Sequence, residues 1–406
     1  MLSGVTPRSS VSNGQACGAY ARLIQKKNMT LRICVRSKGG VNWMGAALYT
    51  QNLVKAVTMY AADEGSDVTV VMPSRFIDRA ALKACKELAA RVPIIPRRAL
   101  NPWRYDFVYP EIAGKRAPYC WGAWIPDLQE IHLTQLFTEE DRALRARICE
   151  NAASAAPVIV FSSDMAKRDF LGLYPGTESR CEILNFTSLP APEWTQGDPI
   201  EIQRKYNLPD RFFLVSNQFW KHKDHHAVIS ALEILAKQGQ KPIVACTGAT
   251  NDYRDPDFFK TIEQRVAELG IQEQFRILGL IPRLDQIQLM RRSLAVIQPS
   301  LFEGWSTVVE DSRSLGKIVL LSDFPVHVEQ NPPGARYFPQ GDAETLAETM
   351  LKAWLELSPG PDIAVEAAAV ERAIQATVAY GKRFVDIARG AARRESSTQQ
   401  KPGLFW

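Results

Sequence analysis

The chain has 406 residues, a length that suggests two domains, and its 46% apolar and 23% charged content is that of a globular protein, not a disordered or fibrous one. No stretch offers the roughly 18 consecutive apolar residues a membrane-spanning helix needs. A formal net charge of +5 admits an anionic ligand or surface without demanding nucleic acid, and the basic clusters interleaved with aromatics that mark a nucleic-acid groove are missing.

Residues 1–28 carry Arg8, Arg22, Lys26 and Lys27 with no acid, and lack the continuous apolar core of a signal peptide. They are expected to be a disordered lead without a fold. From Leu31 strands and helices alternate. Leu31–Val35 reads as a strand, and a glycine-containing loop, Lys38-Gly39-Gly40-Val-Asn42-Trp-Met-Gly45, leads into a helix with Tyr49, Leu53, Ala56, Val57 and Tyr60 on one face. Val68–Val71 is the next strand, and Val92–Ile95, Asp106–Tyr109 and Tyr119–Ile125 are further candidates. Thr138 suits a helix N-cap, with Leu144, Ile148 and Ala152 as the apolar stripe behind it. Val158–Phe161 is a strand followed by a helix capped at Ser162 or Ser163, and Ile183-Leu184 could close the sheet.

The proline-rich stretch Leu189–Pro199 is the expected linker. A second series then places strands at Phe212–Ser216, Ile243–Cys246, Phe275–Leu278, Leu294–Ile297 and Ile318–Leu321. Helices are expected between them at about 224–238, 258–269, 285–292, 307–315 and 343–356. Two βα series with short connections imply two parallel sheets, each covered by helices on both faces. The domain expectation is therefore 29–190 for an N-terminal domain and 191–360 for a C-terminal one. A helical segment over 361–394 crosses back to the first domain, and 395–406 is a tail. The cysteines are odd in number and form no C-x-x-C pair, which points to reduced thiols and a cytoplasmic setting and away from zinc.

The chemistry concentrates in Pro299-Ser-Leu-Phe-Glu303-Gly304-Trp305-Ser306-Thr307-Val-Val-Glu310-Asp311. It lies between two apolar strands, and the helix inside it begins at Ser306 or Thr307 and stops at Gly316. A strand that hands over to a helix N-terminus is an anion site, because unpaired N–H groups and the helix dipole face the ligand. The acid at Glu303 beside that site suits sugar hydroxyls. Asn217-Gln218-Phe-Trp-Lys221-His-Lys223, after another strand, could reach phosphate oxygens. Gly279-Leu-Ile281-Pro282 offers backbone to a base or ring, and Gly39-Gly40 lets the backbone approach a phosphate or sugar. Two weaker signals suit local roles. The histidines 222, 225 and 226 fit a polar loop entering a helix better than a metal cluster, and Asp257 of Asp255-Pro-Asp257 fits a helix N-cap better than a metal ligand.

The order Gly39-Gly40, Gly45, Tyr49, Pro126-Asp127, Lys223 and Pro299–Gly304 resembles the retaining nucleotide-sugar glycosyltransferases of family four, with the GT-B fold, over about residues 30–385. Ser322-Asp323 after the Glu303 stretch adds to this resemblance, and Asn217–His225 and Trp124–Gln129 resemble a branch of cell-surface polysaccharide or lipopolysaccharide assembly. The resemblance implies transfer of a sugar to a glycan or glycolipid acceptor. Glu303 would orient the donor sugar, Gly304 and Trp305 would line the donor, Ser306 and Thr307 with their N–H groups would hold the diphosphate, and Asp311 would bind ribose. Lys223, Gln218, Gly39 and Gly40 would meet the diphosphate from other sides, with no metal or other cofactor. Asp127 and His132 are, with Glu303, the catalytic candidates. The sequence departs from the family in three places. Asp311 stands where a second glutamate is usual, with Glu310 one residue early; Gln218 replaces an arginine; Pro126 replaces a histidine. Nucleotide-sugar epimerase and non-catalytic two-lobed sugar-binding protein are the alternatives, and a cytoplasmic enzyme with peripheral membrane contact is the expected setting.

Overall fold

The computed structural model describes residues 31–36, 44–63, 68–73, 94–95, 101–252 and 254–399. The expectations for Gly39-Gly40 and for residues 1–28 lie outside them. In the first domain, β1 (Arg32–Val35) pairs in parallel with β2 (Thr69–Pro73) and β4 (Phe107–Tyr109), and β3 (Ile94–Ile95) extends the β2 side. A parallel bridge from Val108 to Trp121 carries the sheet on to β5 (Gly122–Ile125), β6 (Val158–Phe161) and β7 (Cys181–Ile183). Every residue of β6 is buried, as expected of an apolar run in a sheet covered on both faces.

Helix α1 (Met44–Asp63) lays Tyr49, Leu53, Ala56 and Val57 on the sheet. After β5 come α2 (Gln129–His132) and α3 (Glu139–Ala155), the latter capped by Thr138, whose hydroxyl accepts from the Asp141 N–H at 3.1 Å. Ser163 caps α4 (Asp164–Leu173) in the same way. The proline-rich stretch is not a plain linker. It forms α5 (Pro192–Gln196) and leads into α6 (Pro199–Lys205), because proline's fixed φ suits a first helical turn.

The second sheet comprises β8 (Phe213–Ser216), β9 (Val244–Thr247), β10 (Phe275–Gly279), β11 (Val296–Gln298), β12 (Val319–Ser322) and β13 (Arg336–Phe338), in the order β10-β9-β8-β11-β12-β13, all parallel. Strand β13 is too short and polar at the edge to stand out in the sequence. Between the strands lie α7 (His225–Lys237), α8 (Phe258–Leu269), α9 (Arg283–Arg292), α10 (Thr307–Ser314), α11 (Pro325–Gln330) and α12 (Ala343–Glu356). Asp257 does not cap α8 with its side chain; its carboxylate is exposed and takes Lys260 Nζ at 2.7 Å instead.

The last helix, α13 (Ile363–Gln399), continues into the stretch expected to be tail. It packs on α1 and sends Tyr380, Phe384, Ala388 and Ala391 into the first-domain core. At Gly381 an added Cβ would lie 2.1 Å from the Ala56 carbonyl oxygen, so the two helix backbones meet where only glycine fits. The chain thus crosses between domains twice, and both crossings are fastened to one side chain of α9. Arg291 gives Nε and Nη2 to Glu366 at 2.5 and 2.9 Å, and gives Nη1 and Nη2 to the carbonyls of Gly197 and Thr195 at 2.8 and 3.0 Å.

Candidate functional site

The C-terminal ends of β8 and β11 lie side by side, and the polar residues that end them build the site. Asn217 donates to Gln298 Oε1 at 2.9 Å, and Gln298 Nε2 donates to Glu303 Oε1 at 2.7 Å. Lys223 Nζ donates to the same Glu303 oxygen at 2.6 Å, with both side chains largely buried. Burial pushes the Glu303 carboxyl up; the charge of Lys223, together with the nearby His327 and the hydrogen bonds from Lys223 and Ser300, outweighs it and holds the group below the usual glutamate range. Lys223 reaches inward because Asp224, in the left-handed region at φ 50°, turns the chain and caps α7. Gly248 permits the same neighbourhood from β9: a Cβ there would sit 2.1 Å from the Asn217 carbonyl oxygen.

Glu303 stands just before the start of α10. Ser306 is its N-cap, with its hydroxyl accepting from the Val309 N–H at 3.5 Å. One expectation fails here. The Ser306 N–H is not offered to a ligand, since it donates to Gln330 Oε1 at 3.0 Å, and Gln330 Nε2 returns to the Ser306 carbonyl. The first-turn N–H groups of Thr307 and Val308 have no intrahelical acceptor, so the anion-binding end of the helix rests on them. Gln218 is half-buried on the neighbouring loop. Ile281 packs its side chain into the second-domain core, leaving its backbone as the group that could edge a ring.

The second acid is placed differently from a free ribose acceptor. Asp311 is fully buried; Oδ1 accepts from the Ser188 hydroxyl at 2.6 Å, and Oδ2 pairs with Arg283. Arg283 is the more exposed partner, and its guanidinium lies 5.1 Å from the Trp194 ring centroid. Glu310 does not substitute for Asp311. It faces the other way, to Gln330 Nε2 at 3.0 Å and Arg313 at 3.3 Å, and burial pushes its carboxyl up.

The first domain meets this loop at Gly304. A Cβ there would fall 2.7 Å from the Pro126 carbonyl oxygen and 3.1 Å from Asp127 Oδ2, so Asp127 is brought to the Glu303 loop. Asp127 Oδ1 accepts from Arg145 at 2.7 Å. Trp305 is half-buried: its indole N–H donates to the Phe186 carbonyl at 3.0 Å and its ring packs on the first-domain core. His132 also has another employment. Its Nε2 lies 2.7 Å from Asp169 and its ring 5.5 Å from that of Phe302, so it sits at the domain seam, beside the residue before Glu303. The three clustered histidines part company: His222 meets Arg254, His225 stacks on Phe219 at 4.2 Å, and His226 meets Thr261.

Sequence reasoning missed Gln298, Gln330 and Arg283. Gln298 alone left a trace, as a glutamine ending an otherwise apolar strand. His327 was missed too. It is buried on α11, its Nδ1 lies 3.0 Å from the Ser322 hydroxyl, and burial pushes it down to about 4, so it is neutral at pH 7.

This geometry coincides with a sequence match. Residues 199–368 match the family described as Glycosyl transferases group 1. The matched span holds Lys223, Gln298, Glu303 and α10. A search of curated proteins by sequence finds no match. Among solved structures, Anabaena HepE in complex with UDP and glucose superposes with a TM-score of 0.59 at 16% identity, covering 90% of this chain and 100% of that one. A glycosyltransferase from Rickettsia africae gives 0.58 at 14% identity over 92% and 100%. WaaG, a glycosyltransferase involved in lipopolysaccharide biosynthesis, gives 0.52 at 12% identity over 89% and 98%. The fold is GT-B: two facing Rossmann-like domains.

Proposed function

We propose that the chain is a glycosyltransferase that moves a sugar from a nucleotide-diphosphate sugar to an acceptor hydroxyl, with retention of configuration. The observation that carries this is the buried Lys223–Glu303 pair set against the first turn of α10, inside the region that matches the glycosyltransferase family. Glu303 accepts hydrogen bonds from donor-sugar hydroxyls. Lys223 and the N–H groups of Thr307 and Val308 take up the negative charge that grows on the leaving diphosphate, a task fixed donors perform without rearranging. In this reading no metal is needed for that step. Retention follows a front-face path in which the departing phosphate and the entering hydroxyl share one side of the sugar.

The remaining assignments belong to the same reading. Gln218 lies on the loop that meets the diphosphate, the Ile281 backbone meets the base, and Asp311 acts on the ribose end through Arg283. Asp127, beside Gly304, lies on the acceptor side. The acceptor is a glycan or glycolipid of the kind used in surface polysaccharide assembly, met by a cytoplasmic enzyme in peripheral contact with the membrane.

A thermal-shift panel of UDP-, GDP- and ADP-sugars tests the donor first, because a ligand that binds only the folded state raises the melting temperature. Anomeric NMR of the product of the stabilising donor then reads the stereochemistry. Glu303→Gln is expected to abolish transfer while the shift with free nucleotide persists. An inverted product, or a glycosyl adduct trapped on a side chain, would overturn the front-face path. Isomerisation of the donor alone would favour the epimerase.

A further inference from the structure

A single side chain bridges the two domains beside the Lys223–Glu303 pair. Arg254 lies on the loop that follows β9, and its side chain is only 7% exposed. Its guanidinium is divided among three partners: Nε lies 3.3 Å from Asp252 Oδ1 on the same loop, Nη2 donates to His222 Nδ1 at 3.1 Å, and Nη1 crosses to the first domain to Gln129 Oε1 at 3.2 Å. Tyr253, between Asp252 and Arg254, lies outside the described residues. The same guanidinium stands 5.1 Å from the Trp220 ring centroid in its own domain and 5.6 Å from that of Phe137 in the first. Arg145, which holds Asp127 and Glu130, stands 5.4 Å from that Phe137 ring.

Each end of this bridge leads to a residue of the site. In the first domain the Gln129 N–H donates to Asp127 Oδ1 at 3.2 Å, so the side chain Arg254 grips stands on the backbone that holds Asp127. In the second domain His222 is buried and directly precedes Lys223 in a short 3₁₀ turn. A guanidinium has donors only, so His222 Nδ1 is the bare nitrogen of the ring. Burial first, then the charges of Lys223 and Arg254, hold this imidazole well below the usual histidine range, so it is neutral and accepts. The His222 carbonyl takes the Leu301 N–H at 2.8 Å, two residues before Glu303. The turn is thus held at the His222 ring by Arg254, at its carbonyl by Leu301, and at Lys223 Nζ by Glu303. A planar fork can serve Asp252, His222 and Gln129 in three directions at once, which the point charge of a lysine cannot. A role confined to the second domain would need Asp252 and His222 alone; the bond to Gln129 and the contact with Phe137 lie beyond it.

We propose that Arg254 is a positioning residue: by tying Gln129 of the first domain to the turn that carries Lys223, it sets the place of that lysine and the approach of the two domains together. A change made only in the first domain is then felt at the Lys223–Glu303 loops of the second. The part Lys223 plays in transfer rests on the glycosyltransferase reading above; the tie between the domains does not.

The test uses the full chain without ligand and reads amide hydrogen exchange by mass spectrometry. Gln129→Ala removes the first-domain acceptor and touches nothing in the second domain but Arg254. It is expected to speed exchange of peptides spanning Leu301 by about tenfold, or about 1.4 kcal/mol of opening free energy. Peptides of α12, remote from the bridge, should exchange as in the wild type. Gln129→Glu keeps an acceptor for Arg254 and should retain wild-type protection, whereas Arg254→Lys should behave like Gln129→Ala. With whichever of the UDP-, GDP- and ADP-sugars is turned over, Gln129→Ala should lower kcat by about 10² and leave the donor KM unchanged, as misplacement of a reacting group would. Wild-type exchange at Leu301 in Gln129→Ala or Arg254→Lys would overturn the proposal. So would an unaltered kcat, or a Gln129→Glu variant as loosened as Gln129→Ala. If no nucleotide sugar is turned over while the exchange results hold, the transfer reading falls and the interdomain tie stands.

Discussion

Lys223 Nζ lies 2.6 Å from Glu303 Oε1, across 80 residues of sequence, and the two side chains are largely hidden from water. Neither charge is tolerable there alone. Lys223→Met should therefore cost stability on the order of 3–5 kcal/mol, the penalty for leaving a buried charge unpaired. It should also lower kcat by about 10²–10³, the usual loss when one transition-state donor is removed. The pH behaviour separates the two effects. Lys223 holds the Glu303 carboxyl below its ordinary value, so its contribution to stability is present above the unfolded glutamate value and lost as pH falls through the folded one. In the variant the acid limb of kcat/KM should move to higher pH, which a rate–pH profile will show.

Gly304→Ala probes the seam between the domains. The new Cβ would arrive 2.7 Å from the Pro126 carbonyl oxygen, backbone that cannot swing aside, so the domains must part slightly. A displacement of this size at a reacting centre costs about 10² in rate. We expect kcat/KM to fall by that order while the UDP thermal shift stays within experimental error. Unchanged kinetics would mean the domains do not meet there during turnover.

Arg291→Ala removes the side chain that ties both interdomain crossings and leaves Glu366 buried without its cation. A loss of about 3–5 kcal/mol is expected. At ~2–4 °C per kcal/mol that is a melting temperature lowered on the order of 10 °C. The double variant Arg291→Met/Glu366→Met should be less destabilised than the single one, since it removes both partners of the buried pair. Calorimetric scans of the wild type and both variants decide this.

Much of the fold was legible because its signals are local. Apolar runs of strand length gave the β8, β11 and β12 positions, and Ser306 and Thr138 marked helix starts by the reach of one side chain to an N–H three residues on. Glu303 was legible because its neighbours in sequence, a strand end and a helix start, already define a site. What escaped was decided by partners far away in the chain. Nothing near Ser306 shows that its N–H is claimed by Gln330, and nothing near Asp311 shows that Ser188 and Arg283 already hold it. The bond from the Trp305 indole to the Phe186 carbonyl escaped for the same reason, since that partner is on the other domain.

The return of α13 to α1 sets an order on synthesis. The second domain, from β8 through α12, is one unbroken stretch and can close as soon as it leaves the ribosome. The first domain cannot, because Tyr380, Phe384 and Ala391 of its core are made only after the second domain. At ~5–20 residues per second, translating the intervening roughly 200 residues takes about 10–40 s. For that interval the part of α1 that α13 covers, around Ala56, waits exposed, so the domain begun first is finished after the second. The nascent chain should therefore depend on chaperones most while its second half is being made.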